Sequence, residues 1–272
     1  MRASRVLGSA VGLGLLGAVL NATVRTPRRL VVRDVPLAVP GWPAELDGLR
    51  VAVVADLHAG APVMGLERLG RVVQQVVDAR PDLVVLLGDH LADVWLGTHL
   101  HPEQVADVLA GLRGAAPVVG VLGNHDWYAG GHRVRRALEA AGLPVLAESA
   151  VPLLDGRLWV AGVSDLWERT PSVERALADV PAGAPVVLLT HNPDVVLDVP
   201  PHVQLVLAGH THGGQVRVLG RGVHTISERT GNRLTAGWFA SERLYVTAGV
   251  GASIAPVRTV LPEVPVLVLG PA

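Results

Sequence analysis

The sequence predicts a layered α/β domain, and three observations carry that prediction. Short, Val-rich apolar runs recur along the chain, each bounded by Gly, Pro or Asp in the manner of buried strands. Between several of them lie stretches with the spacing of amphipathic helices, and alternation of this kind builds sheets covered by helices. Most of the apolar runs also end in a cluster of Asp, Asn or His, and open α/β sheets carry their sites outside the carboxyl ends of their strands.

The strand-like runs are residues 50–55, 83–87, 118–122, 158–163, 186–189, 203–208, 244–247 and 264–269. Helices are expected over 66–79, 102–112, 132–141 and 172–178. Pro81 and Pro144 stand shortly after the first and third of these, where a residue that cannot continue a helix marks its end. The later strands come with fewer helices, which predicts some antiparallel pairing there. With 272 residues, 50% of them hydrophobic, the chain is long enough to bury one large core.

Ahead of the domain, residues 6–24 carry no charge. A helix of that length spans about 28 Å, close to the thickness of a bilayer core. Arg2 and Arg5 precede it, and Arg25, Arg28 and Arg29 follow it, so the positive flanks nearly balance and do not choose an orientation. Cleavage after Ala22 would put Leu20 where a small residue is needed. The expectation is therefore an uncleaved single-pass anchor, ahead of a cleaved signal peptide or a buried helix. The division that follows is an anchor and linker at 1–29 and the main domain at 30–272. It sits at the cell membrane, with the domain expected on the extracytoplasmic side.

Composition narrows the chemistry. The net charge is −1, with 23 basic residues, all Arg, and no basic excess points to nucleic acid as a partner. Cysteine is absent, which excludes disulfides, thiolate metal sites and cysteine nucleophiles. A metal must then sit on His, Asp, Glu or Asn, a donor set suited to Mn, Fe, Zn, Ni or Mg.

The polar clusters are Asp56-Leu57-His58, Gly88-Asp89-His90, Gly123-Asn124-His125-Asp126, Thr190-His191-Asn192 and Gly209-His210-Thr211-His212-Gly213-Gly214. At the ends of strands they would converge on one rim. In extended backbone, residues two apart point the same way, so Asp56 with His58, and His210 with His212, are expected to face the rim together. Asp89 has two oxygens and can bridge two cations, Asn124 offers a neutral oxygen and His191 a neutral nitrogen. Two divalent cations would outweigh the two carboxylates, leaving positive charge for a hydroxide and an anionic phosphate. They would lower the pKa of a bridging water and clamp phosphoryl oxygens for in-line displacement.

The ordered set DxH, GD, GNHD, H and GHTH resembles that of the calcineurin-like metallophosphoesterases, over about residues 42–263. WPAELDGLRVAVVADLH, GHTHGGQ and LYVTAGVGASIAPVRTVLPE are similar to a bacterial membrane-associated subgroup of YkuE-like and YaeI-like phosphodiesterases. The resemblance implies a four-layer α/β/β/α sandwich of two packed mixed sheets and a metal-dependent phosphoesterase with two divalent ions, manganese favoured. Asp56, His58 and His212 would hold one ion, Asn124, His191 and His210 the other, and Asp89 both. His125 would lie beside the substrate, stabilising phosphoryl oxygens or protonating the leaving oxygen.

The sequence also departs from the pattern. The acid that orients the GNHD histidine in related phosphatases falls here on Ala92, which leaves Asp93 and Asp126 as candidates. Asp126 is accordingly grouped with His125 as catalytic. His90, His99, His101, His132, His202 and His224 are read as surface or loop residues, and Arg258 with Glu263 as a structural pair or turn contacts. The expected substrate is a phosphodiester, lipid-linked or part of the cell envelope. A nucleotide or nucleotide-sugar pyrophosphatase or phosphodiesterase is the alternative enzyme, and a catalytically silent metal-binding membrane scaffold the alternative of another class.

Overall fold

The protein is described by a computed structural model over residues 16–93, 97–218, 221–222, 227, 229–231, 233–253 and 255–272. The uncharged segment at 6–24 lies mostly outside these residues. Its described end, 16–20, is helical and continues through a widened helical turn, Asn21–Arg25, and a tight turn, Thr26–Arg28. Among the described residues, no helix is long and apolar enough to cross a membrane.

In chain order the strands are β1 (Val31–Val39), β2 (Leu49–Val54), β3 (Leu83–Leu87), β4 (Val118–Val121), β5 (Ser149–Leu153), β6 (Leu158–Gly162), β7 (Val186–Leu189), β8 (Leu205–Ala208), β9 (Arg217–Val218), β10 (Arg221–Gly222), β11 (Gly237–Phe239), β12 (Leu244–Val246) and β13 (Glu263–Pro271). The helices are α1 (Leu66–Asp78), α2 (Pro102–Leu109), α3 (Asn124–Tyr128), α4 (Gly131–Ala140) and α5 (Val173–Leu177).

One sheet has the order β1-β13-β2-β3-β4 and the other β11-β12-β8-β7-β6-β5. Each is mixed. In the first, only the β13–β2 pair is antiparallel. In the second, the outer pairs β11–β12 and β5–β6 are antiparallel around a parallel centre. β9 and β10 form a short ribbon of their own.

Strand alternation sorts the apolar side chains into layers. In the first sheet, Val51, Val53, Val85 and Leu87 point inward and meet Val187, Leu189, Leu205 and Leu207 of the second. The alternate residues Ala52, Val54, Val84 and Leu86 face the other way, onto helices. Helix α1 covers that face with Leu69, Val72, Val73 and Val76, one stripe at helical spacing. On the far side, Leu188, Val206 and Ala208 pack with Val173 and Ala176 of α5. The result is the expected four-layer α/β/β/α arrangement of two mixed sheets.

The elements absent from the sequence reading are mostly edges. β1 carries Pro36 and buries only Leu37 and Val39, and β5 carries Pro152 and buries none of its residues. An edge strand tolerates proline and lacks a continuous apolar signature. What matters for function is direction. β2, β3 and β4 run parallel in one sheet, β7 and β8 in the other, and their carboxyl ends meet where the His210 N–H donates to Asp56 Oδ1 at 2.9 Å.

Candidate metal centre

Asp56 and His58 follow β2, Asp89 follows β3, Asn124 and His125 open α3 beyond β4, His191 follows β7, and His210 and His212 follow β8. All except His125 are buried. The convergence on one rim is as expected, but the local geometry differs from the expected extended backbone. Asp56, His58, Asp89, His210 and His212 have φ of 52°, 46°, 54°, 71° and 50°. L-residues rarely adopt that left-handed region, and the energy stored there clusters at functional sites. A kink after each strand, rather than pleat alternation, turns these side chains to one another.

Donor atoms of Asp56, His58, Asp89 and His212 all lie within 4.8 Å of one another, and so do those of Asp89, His191 and His210. The two groups share Asp89. Its Oδ2 is 3.5 Å from His58 Nε2 and 3.3 Å from His191 Nε2, so one oxygen reaches both. Within the first group, His58 Nε2 is 3.1 Å from His212 Nε2, and His212 Nε2 is 3.7 Å from Asp56 Oδ1. Within the second, His210 Nδ1 is 3.1 Å from His191 Nε2.

The residues fit divalent cations. Burial, reinforced by neighbouring positive groups, holds His58 and His212 well below the ordinary imidazole pKa, which keeps them neutral and their lone pairs available. Burial raises the Asp56 carboxyl, opposed by His191. Burial also disfavours the His191 imidazolium, but Asp89, Asp56 and Asp165 outweigh it and lift the pKa to about 10. The carboxylates thus create a field that demands positive charge. Asn124 Oδ1, an acceptor with no proton of its own, is buried with no hydrogen-bond partner, as suits an oxygen waiting for a cation.

The surrounding backbone fixes the donors. His191 Nδ1 lies 2.7 Å from the Leu87 carbonyl, which keeps a proton on Nδ1 and turns Nε2 toward the cluster. The His125 N–H donates to Asp89 Oδ1 at 2.9 Å. A Cβ at Gly123 would stand 2.2 Å from Asp89 Oδ1 and 2.8 Å from His191 Cε1, and one at Gly249 (φ 67°) 2.5 Å from Asp56 Oδ2. Arg258 is fully buried and donates to the carbonyls of Ala248 (2.7 Å), His212 (3.5 Å), Val260 (3.2 Å) and Gly251. Burial lowers its pKa to about 10, opposed by Asp56 and Glu263. Turn contacts, rather than an ion pair with Glu263, are its role; Glu263 bonds Arg33 at 3.1 Å and the Ala248 N–H at 3.1 Å.

His125 stands at the mouth, its ring edge-on to His58 at 4.7 Å and to Tyr128 at 5.5 Å. The expected orienting acid is not there. Asp126 sits in the first turn of α3, which aims it back at the loops. Its oxygens accept from Gly123 N (3.0 Å), His90 N (2.9 Å) and Leu91 N (3.1 Å) and lie 2.8 Å from His90 Nδ1. Asp93 is exposed, and His125 Nδ1 has no hydrogen-bond partner. Asp126 therefore clamps the loops after β3 and β4 together, and His90, expected at the surface, is its buried partner. His224 lies outside the described residues.

The sequence reading missed a sixth cluster. β6 also ends in polar residues, Ser164 and Asp165, and Asp165 is fully buried beside His191. The signal was the same one that found the other five, a strand-like run followed by an acid.

The calcineurin-like phosphoesterase family model matches residues 49–214. A transmembrane protein with metallophosphoesterase domain from Danio rerio is 31% identical over 246 residues, 84% of this chain and 54% of that protein. The metallophosphoesterase YkuE of Bacillus subtilis is 30% identical over 235 residues, 84% of this chain and 81% of that protein. Phosphodiesterase YaeI of Escherichia coli is 31% identical over 236 residues, 81% of this chain and 82% of that protein. These matches cover the strand ends that build the cluster, and the chain belongs to the calcineurin-like phosphoesterase family, in its YkuE/YaeI-like subgroup, as a metal-dependent hydrolase of phosphate esters.

Proposed function

We propose that this chain hydrolyses a phosphodiester at a dinuclear centre, on a lipid-linked or cell-envelope substrate. One observation carries the reading: two buried donor groups share a single Asp89 oxygen. Asp56, His58 and His212 are assigned to one divalent ion, Asn124, His191 and His210 to the other, and Asp89 to both. Such a pair of ions supplies Lewis acidity, acidifying water and neutralising phosphoryl oxygens.

The chain's own groups do the rest. His191, with its Nδ1 tied to the Leu87 carbonyl, keeps a fixed ring orientation. The Asp89 carboxylate is steadied by the His125 N–H, which links the position of His125 to the bridge. His125 lies at the mouth, where its ring can donate a proton to the departing ester oxygen or hold a phosphoryl oxygen. The buried walls limit water around the reacting phosphorus, which strengthens each charge interaction there.

An envelope substrate is supported by the exposed apolar side chains Leu16, Val19, Leu20 and Val24, followed by Arg25, Arg28 and Arg29. This composition suits a segment entering a bilayer beside anionic head groups. The anchor and linker at 1–29 are proposed to hold the domain at 30–272 against the outer face of the cell membrane.

The test uses the full-length protein in detergent, stripped of metal and resupplied with Mn²⁺. Hydrolysis of bis(p-nitrophenyl) phosphate is followed beside the matching monoester, with Asp89→Asn as control. Metal-dependent diester turnover that vanishes in the variant is expected. Stoichiometric metal binding with no turnover of either ester would refute the phosphodiesterase and favour the scaffold reading.

A further inference from the structure

The residues after β6 approach the cluster, and the helix that carries Asn124 and His125, at four points. Asp165 is fully buried next to His191. Trp167 stands edge-on to His210, with ring centroids 4.4 Å apart and planes at 90°. Burial, and after it the charge of the nearby Glu168 carboxylate, pushes the pKa of the Tyr128 hydroxyl up. The Arg169 guanidinium lies 3.8 Å from the ring centroid of Trp127. Asp165 also shapes the segment: its Oδ1 accepts from Trp167 N at 2.9 Å and Glu168 N at 3.0 Å, and its carbonyl from Arg169 N at 3.0 Å. The turn that presents Trp167 is therefore shaped by a buried acid whose charge acts on His191 of the cluster.

Trp167 and Tyr128 are 41% and 48% exposed, although each touches a histidine of the site. Large aromatic surface left open beside buried chemistry is a recognition feature. We propose that residues 164–169 form the substrate-recognition lip, with Trp167 stacking on a ring, a sugar or a nucleobase, carried by the phosphodiester. This rests on the phosphodiesterase reading given above. Trp167 meets His210 of one donor group while His125 meets His58 of the other, so with His125 on the leaving oxygen Trp167 is assigned to the substituent that phosphorus retains. The setting favours a polar ring over an acyl chain. Trp167 is followed in the chain by Glu168 and Arg169, while Leu166 packs inward against the core, so within its own turn the indole has polar neighbours.

The experiment uses the full-length Mn²⁺-loaded protein and two esters with the same leaving group. Bis(p-nitrophenyl) phosphate retains a ring after cleavage, and ethyl p-nitrophenyl phosphate retains an alkyl chain. Trp167→Ala should raise KM for the first about tenfold, equal to about 1.4 kcal/mol, with kcat within about twofold. It should leave KM for the second within about twofold, and Trp167→Phe should restore most of the loss. Equal changes on both esters, no change on either, or loss of bound metal from Trp167→Ala would overturn the proposal. The p-nitrophenyl diesters of thymidine monophosphate and of glucose phosphate then separate the two rings: the larger dependence on Trp167 names the one recognised, and no dependence on either refutes both. If the wild type cleaves no ester, the phosphodiesterase reading fails first. Calorimetric binding of thymidine monophosphate and of glucose phosphate then tests the lip, and equal affinity of wild type and Trp167→Ala for both overturns it.

Discussion

Gly123→Ala adds one methyl group against the shared carboxylate. The new Cβ would lie 2.2 Å from Asp89 Oδ1, 2.7 Å from Asp89 N and 2.8 Å from His191 Cε1. Gly123 has φ −101°, so alanine suffers no backbone penalty and the effect is contact alone. Neither neighbour is a free side-chain end: the Asp89 oxygen is held by the His125 N–H and the His191 ring by the Leu87 carbonyl. Relief to ordinary van der Waals separation takes about 1 Å of movement. A misplacement of about 1 Å at a reacting centre costs on the order of 100-fold in rate, or about 2.7 kcal/mol of transition-state stabilisation. Overpacking a filled site destabilises by about 1–3 kcal/mol, which lowers Tm by about 2–12 °C in a domain of this size. The assay pairs kcat/KM for the diester with bound-metal analysis and a thermal melt. Activity within about threefold of wild type, with unchanged metal content, would refute the placement of Asp89 against Gly123.

Three further outcomes are expected. Chelation should abolish turnover and lower Tm, because at a free-ion concentration of about 100 times Kd a bound cation adds about 2.7 kcal/mol; re-addition of Mn²⁺ should reverse both, and an unchanged melt would count against a buried metal centre. Asp126→Asn should cost about 1–3 kcal/mol of stability, measured by denaturant titration, because it weakens the hydrogen bonds that the buried carboxylate accepts from Gly123, His90 and Leu91; the folded variant should keep more activity than His125→Ala, and the reverse ranking would restore Asp126 as an orienting acid. Asp198 is held below its ordinary carboxylate pKa of 3.8 mainly by its hydrogen bonds from Arg229. A depressed carboxylate contributes stability above its unfolded pKa and loses it as pH falls through the folded value, so Asp198→Asn should flatten the stability curve below about pH 4; an unaltered acid limb would discount the pair.

The layers were legible because the core obeys two simple periods. β3 and β7 match their apolar runs end to end, and α1 matches its stripe to within a residue. The donors were legible because the strand ends carry residue types with little reason to be buried together. What escaped was set by tertiary context. Edge strands β1 and β5 lack the apolar signature because one flank meets solvent or proline. The left-handed kinks at Asp56, His58, Asp89, His210 and His212 go against local preference and are imposed by the packed sheets. Asp126 follows His125 directly, yet the turn of α3 aims it at His90, a direction that chain proximity cannot supply. Asp165 was missed only because the strand-end rule stopped one strand short.

The hydrogen bond from the Arg258 N–H to the Ala22 carbonyl, 2.9 Å long, ties the N-terminal segment to the loop that cradles His212. Thr26 and Pro27 are buried, and the Pro27 carbonyl accepts from Arg68 at 2.7 Å. The segment before β1 is thus keyed into the domain behind the metal-donor cluster. Trimming the chain at residue 30 would remove both carbonyl acceptors, so a shortened protein would carry a slackened loop behind His212 and understate what the intact chain can do.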